Sequence, residues 1–246
     1  LSSIIQLIRQ QKQMTQDKGI WVLGYGSLIY KPPPHYQHRI PGIIYGFKRR
    51  FWQSSSDHRG TPESPGRVAT LIAYDDIVKH PKFLKDLYHY KKSKVEKAKD
   101  LSIFGVAYYI PPQYAQEVTD YLNVREQDGY SVHCVEIHLE TTPSQEQELR
   151  DSLHLLPRHH ITNKYVLRSI VYIGTVDNES FVGPEDIKTT ASIIADSHGP
   201  SGPNYEYLKL LHDSLTEVAC SLGHKLSDVE DAYLDSLLDH VLNDSH

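Results

Sequence analysis

The residues that most restrict how this chain can fold lie between Trp21 and Pro34. Trp21, Val22 and Leu23 form a short apolar run bounded by breakers, which reads as a buried strand. The run meets Gly24-Tyr25-Gly26-Ser27, then Leu28 and Ile29, then Pro32-Pro33-Pro34. Proline cannot donate a main-chain hydrogen bond, so the strand has to end in a loop and not in a long helix. Gly24 and Gly26 lack a Cβ, can take φ > 0, and let another molecule approach the main chain closely. Successive N–H groups in such a turn form a concave nest for an anion. The loop is thus a candidate site for a carboxylate-bearing small molecule, with a plain strand-ending turn as the alternative.

Three familiar loops do not fit. A dinucleotide fingerprint needs a third glycine where Ile29 stands, and a P-loop needs a Lys-Ser/Thr pair after its glycines. A nucleophile elbow needs glycines two residues either side of the serine, and Ser27 has Tyr25 and Ile29 there. The charge balance also narrows the field. A formal net charge of −5 gives no footing for nucleic acid or an anionic membrane surface. No apolar run reaches the ~20 residues of a membrane-spanning helix. Cys134 and Cys220 are far apart and form no disulfide framework, which fits a reducing compartment and points to the cytoplasm, with the nucleus left open.

Residues 1–19 read as an amphipathic extension around Ile4, Ile5 and Ile8, and residues 20–246 as one domain without a linker or internal repeat. Strands are expected over 43–47, with 49–52 continuing it or starting a third, and over 68–74, 101–110, 130–139 and 166–174. The stretch 36–41 reads as irregular, and 54–67 as a long polar loop of the kind that carries function. The lysine-rich stretch within 81–100 reads as a solvated loop or frayed helix. Helices are expected after Pro111-Pro112, over 142–156, from Gly183 with His198 on the inner face of its last turn, and over 204–222. A last helix should start at a Ser227-x-x-Glu230 capping box. Strands dominate the first two-thirds and helices the last third, which predicts an α+β fold.

Few side chains suggest chemistry by themselves. The helix after Pro112 has a stripe through Tyr114, Val118, Tyr121, Leu122 and Arg125. Glu126 follows Leu122 by four residues and projects from that apolar edge, where lost hydration raises a carboxyl pKa. A boundary ion pair with Arg125 or Arg168 is the other reading. His35-x-x-His38 and His159-His160 lack the partners of a zinc site, so no metal is expected. Cys134 and Cys220 fall in segments read as buried, where cysteine packs inertly. Tyr25 and Tyr172 are the tyrosines placed to meet a ligand.

Several of these features occur together in one known family. Gly24-Tyr25-Gly26-Ser27-Leu28, Arg49-Arg50-Phe51-Trp52-Gln53 and Asp57-His58-Arg59-Gly60-Thr61-Pro62 resemble motifs of the ChaC-type γ-glutamylcyclotransferases. So do Pro65-Gly66-Arg67-Val68, Tyr121-Leu122-Asn123-Val124-Arg125-Glu126, Val171-Tyr172-Ile173 and His198-Gly199-Pro200-Ser201-Gly202, followed by Tyr205-Glu206-Tyr207-Leu208. The resemblance implies a mixed sheet closed into a small barrel with helices around it. It implies a cytoplasmic lyase that takes glutathione as small-molecule substrate, releases 5-oxoproline and cysteinylglycine, and needs no cofactor. Catalysis would fall to Glu126, and the substrate to Gly24, Tyr25, Gly26, Ser27, Leu28 and Ile29. Tyr172 would be a hydroxyl partner, and Arg67 would meet a substrate carboxylate or serve as a structural arginine. The loop main chain would hold the α-carboxylate or the developing oxyanion. A cyclotransferase for other γ-glutamyl compounds, or a non-catalytic γ-glutamyl-binding regulator, stays open beside this reading. The sequence is silent on oligomeric state.

Overall fold

A computed structural model describes residues 19–91, 93–125 and 131–244. The extension before residue 19 and Glu126 lie outside the described residues. Contacts gather the chain into two units. One is built from the described residues within Leu1–Gly42, Gly105–Asp128 and His133–Val171, the other from those within Ile43–Phe104, Gly129–Val132 and Tyr172–His246.

The larger sheet has five strands in the order β1-β5-β2-β6-β7, these being β1 (Ile20–Gly24), β2 (His38–Tyr45), β5 (Ser102–Ile110), β6 (Ser131–Leu139) and β7 (Val166–Ile173). β1 and β5 run antiparallel, pairing Ile20 with Ile110, Val22 with Tyr108 and Gly24 with Val106. β5 is buried along nearly its whole length, as its continuous run of Val, Ile, Phe and Tyr requires. β2 begins within the stretch read as irregular. His38, Arg39 and Pro41 hide the strand pattern there, while Ile40 and Ile44 are fully buried. α3 (Ala115–Arg125) follows a 3₁₀ turn at Pro112–Tyr114 and buries Ala115 and Val118, whereas Tyr121 is more than a third exposed. The helix expected over 142–156 is two pieces, α4 (Pro143–Glu148) and α5 (Arg150–Leu153), interrupted at Leu149. Thr142 caps α4, accepting from the Gln145 N–H while Gln145 reaches back.

The second unit is a hairpin with helices. β3 (Phe47–Ser55) and β4 (Gly66–Ala73) pair antiparallel with a register shift between Arg50 and Gln53. Two helices follow β4: α1 (Tyr74–Lys79) and α2 (Pro81–Tyr90), the second in the stretch read as a solvated loop or frayed helix. They form because Ile77, Phe83 and Leu87 find a cluster with Trp52, Ile72, Val95 and Leu101 to bury against, a tertiary gain that composition does not display. α6 (Ile187–Asp196) starts at an Asp186 N-cap, later than Gly183. It ends before His198, which is exposed in a two-residue strand, β8 (His198–Gly199), paired with β9 (Gly202–Pro203). α7 (Asn204–Ser221) and α8 (Tyr233–Asp244) complete the unit.

The expected capping box at Ser227 is not made. Glu230 is buried and takes hydrogen bonds from Arg49 and from the Phe104 N–H. Both cysteines are exposed, not buried. Val135, Ile137 and Leu139 take the inner face of β6, so the strand's period of two sends Cys134 outward. Cys220 falls beside the α7 stripe that ends at Val218 and Ala219.

Lys48, Arg49 and Arg50 are all buried in β3. Arg50 forks onto Asp86 at 2.7 Å and onto Asp231 at 2.8 and 3.1 Å, beneath the ring of Tyr233 at 4.5 Å. Lys48 donates to the Ser102 carbonyl at 3.0 Å, with Asp231 at 3.9 Å. Burial dominates and lowers the Lys48 ammonium from its ordinary 10.5 to about 8. Between those two pH values the unfolded chain holds a proton that the folded chain has released, so stability rises with pH across the window. In paired urea unfolding from pH 8 to 10.5, wild type should therefore gain on Lys48→Met. A gap that stays constant or closes would contradict the assignment.

Candidate active site

The glycine loop is the best-defined part of the candidate site. β1 delivers the chain to Gly24, Tyr25 is buried, and Gly26 leads into a 3₁₀ turn at Ser27–Ile29. The Ile29 N–H donates to the Gly26 carbonyl at 3.0 Å. The Tyr30 and Lys31 amides both close on the Ser27 carbonyl. Neither Gly24 nor Gly26 takes the positive φ that glycine allows; Gly26 sits at φ −123° and ψ −129°. Gly24 is needed for space. A Cβ there would stand 2.9 Å from the Leu28 Cβ, because the 3₁₀ turn folds Leu28 back over the end of β1. Ile29 is buried, while Gly26, Ser27 and Leu28 are half-buried. Beneath the turn, the Tyr108 hydroxyl donates to the Leu28 carbonyl at 2.7 Å. The sequence reading passed over Tyr108, which looks like any tyrosine in a buried strand.

The other expected site residues fall as follows. Val118 is fully buried and Leu122 half-buried, while Glu126 lies outside the described residues. Tyr172 is half-buried in β7 and belongs to the second unit. Arg67 lies in β4 of that unit. Its Nε and Nη2 form a bidentate pair with Glu185 at 2.8 and 2.9 Å, and Nη1 donates to the Gly66 carbonyl at 3.1 Å. That is the geometry of a structural arginine, since the fork is spent on a protein carboxylate. Arg168, the suggested partner of Glu126, is 3.3 Å from Glu136. Asn204, fully buried at the start of α7, exchanges hydrogen bonds with both main-chain groups of Arg67 at 2.6 and 2.8 Å. The motif around Arg67 is thus knitted to the motif after His198.

Among the described residues no group of three or more His, Cys, Asp or Glu side chains is placed to hold a metal ion. His35 instead stacks on Tyr114 at 4.1 Å and bonds to Glu117 at 3.0 Å. No described helix is long and apolar enough to cross a membrane.

The chain combines an α+β fold with a glycine-tyrosine-glycine-serine turn after its first strand. The ChaC-like protein family matches residues 20–244, and the chain belongs to that family. It is 58% identical over 230 residues to the glutathione-specific gamma-glutamylcyclotransferase of Saccharomyces cerevisiae, covering 93% of this chain and 98% of that protein. It is 36% identical to the Schizosaccharomyces pombe protein of the same name, covering 80% of this chain and 83% of the relative. For the Danio rerio glutathione-specific gamma-glutamylcyclotransferase 1 the identity is 32%, with 94% and 92% covered. The crystal structure of the selenomethionine-labelled yeast cyclotransferase specific to glutathione superposes with a TM-score of 0.84 at 56% identity, covering 92% of this chain and 97% of that one. The mixed α+β class with a curled half-barrel sheet and helices is therefore the fold of this chain.

Proposed function

We propose that this protein degrades glutathione by intramolecular cyclisation of its γ-glutamyl group, releasing 5-oxoproline and L-cysteinylglycine. The observation that carries the reading is 58% identity, across nearly the full length of both chains, to a protein named for that activity.

The chemistry assigns the roles. The substrate α-ammonium is protonated near neutral pH and cannot attack. Glu126, as carboxylate, removes a proton from it. The freed amine attacks its own γ-carbonyl and closes a five-membered ring. Holding the folded-back conformer supplies much of the acceleration, because the attack is intramolecular. The attacking nitrogen loses its second proton to solvent in the tetrahedral intermediate. Glu126 then returns its proton to the cysteinyl nitrogen, a very poor leaving group as an anion, as the bond from the γ-carbon to that nitrogen breaks. The released amine takes up a proton from solvent. A carboxyl pKa near ~6–7 suits both transfers. The loop at 24–29 grips the α-carboxylate through its main chain, and Tyr172 offers a hydroxyl. Arg67 builds the scaffold through Glu185. No step calls for a metal, a nucleotide or a covalent enzyme intermediate. The working compartment we infer is the reducing cytoplasm, which keeps the two exposed cysteines as thiols.

The test is purified protein incubated with glutathione, with 5-oxoproline and cysteinylglycine measured. Initial rates on glutathione should exceed those on simple γ-glutamyl amino acids by at least about tenfold, a modest binding difference of ~1.4 kcal/mol. Equal rates would make this a general γ-glutamyl enzyme. Tight glutathione binding without product would make it a sensor.

A further inference from the structure

Tyr108 is fully buried, yet its hydroxyl serves the loop and not the core. It donates to the Leu28 carbonyl at 2.7 Å, with the Ile29 carbonyl at 3.4 Å, and Arg39 hydrogen-bonds to the phenol. The β1–β5 register sets Tyr108 opposite Val22, two residues before the turn. Its ring lies under Gly24, where a Cβ would stand 3.4 Å from Cε2, and Tyr36 packs edge-on at 5.3 Å. The peptide joining Leu28 to Ile29 is therefore held at both ends. Tyr108 holds the carbonyl, and the Gly26 carbonyl holds the N–H at 3.0 Å. A peptide unit is planar, so fixing both ends fixes its orientation and that of the turn. Burial pushes the phenol up to about 12, so the donor stays protonated across neutral pH.

We propose that Tyr108 is a positioning residue for substrate: by anchoring the Leu28 carbonyl it aims the main chain of the loop at 24–29 and so sets the affinity for the glutamyl α-carboxylate. This rests on the reading that the loop grips that carboxylate. Hydrogen bonds weaken steeply as their angle degrades, so a small rotation of the turn loosens the grip. The α-carboxylate keeps its charge throughout the reaction. Its grip is thus shared by ground and transition states, and losing it raises KM while sparing kcat.

The experiment is steady-state kinetics of Tyr108→Phe with glutathione. It is paired with calorimetric titration of glutathione into Glu126→Gln, with and without Tyr108→Phe. We expect KM about tenfold higher with kcat within about threefold of wild type, and a dissociation constant about tenfold weaker in the double variant, as one lost hydrogen bond predicts. A lowered kcat at unchanged KM is the mark of a smaller folded fraction and would overturn the proposal, as would an unchanged dissociation constant. Should Tyr108→Phe fail to fold, Arg39→Met, which removes the group bonded to the phenol, decides: a KM raised by about twofold or more supports the proposal and an unchanged KM defeats it. Wild-type protein that yields no 5-oxoproline brings down the functional reading and this proposal together. Active wild type with an unmoved KM removes only the role of Tyr108.

Discussion

Glu126→Gln should abolish 5-oxoproline release while leaving the protein folded. The amide keeps the size and shape of the side chain but can neither take the proton from the α-ammonium nor return it to the leaving nitrogen. One positioned acid–base group is worth about 10²–10⁴-fold. Here a single carboxyl serves both transfers, so the loss belongs at the upper end. The comparison is turnover of glutathione by wild type and variant, matched by circular dichroism and melting temperature. A folded variant that keeps more than about a tenth of the activity would remove Glu126 from the mechanism. Because the variant retains the loop at 24–29, it should still bind glutathione, which separates a chemical defect from a binding defect.

The second large effect concerns stability. Asp231→Ala should cost about 3–5 kcal/mol, the range for breaking a buried ion pair on one side. The Asp231 carboxylate is 3% exposed and receives both terminal nitrogens of Arg50, with Lys48 close by. Burial works against its ionisation, but the Arg50 and Lys48 charges outweigh it and hold the group below the usual carboxylate range. Stability from such a group is complete above its unfolded pKa and is lost as pH falls through the folded value. The alanine variant leaves Arg50 with the Asp86 carboxylate and Lys48 with the weaker pull of Glu230. Urea unfolding at neutral pH measures the cost, and a change below about 1 kcal/mol would mean water or another group replaces the carboxylate. The variant should also lose part of the wild type's destabilisation in acid.

Legibility in the sequence tracked how local the deciding interactions were. β1, β5, β7 and α7 are plain because each carries its own apolar pattern. The turn at 24–29 was legible as a special loop from Gly24 and Gly26 alone, although the reason turned out to be space for Leu28 and not a positive φ. Tyr108 was not legible: only the register against β1 brings its hydroxyl under Leu28. Glu230 reads as a helix cap until Arg49, 181 residues earlier in the chain, is folded beside it. α1 and α2 were hidden by their lysines and histidines, which face outward while Ile77, Phe83 and Leu87 do the packing. Arg67 left two roles open in the sequence, and Glu185 lies too far along the chain for spacing to connect them.

The buried basic triplet of β3 also sets a timetable for the newborn chain. Its carboxylate partners Glu230 and Asp231 emerge from the ribosome 181 residues after Arg49 and Arg50. At ~5–20 residues per second that is a wait of roughly 10–40 seconds. Throughout it three cations destined for a dry interior have at most Asp86 to face. The hairpin carrying them cannot settle until Glu230 and Asp231 have been made. The burial of these cations therefore waits on a distant stretch of the chain, with a prolonged interval of dependence on whatever chaperones attend the nascent protein.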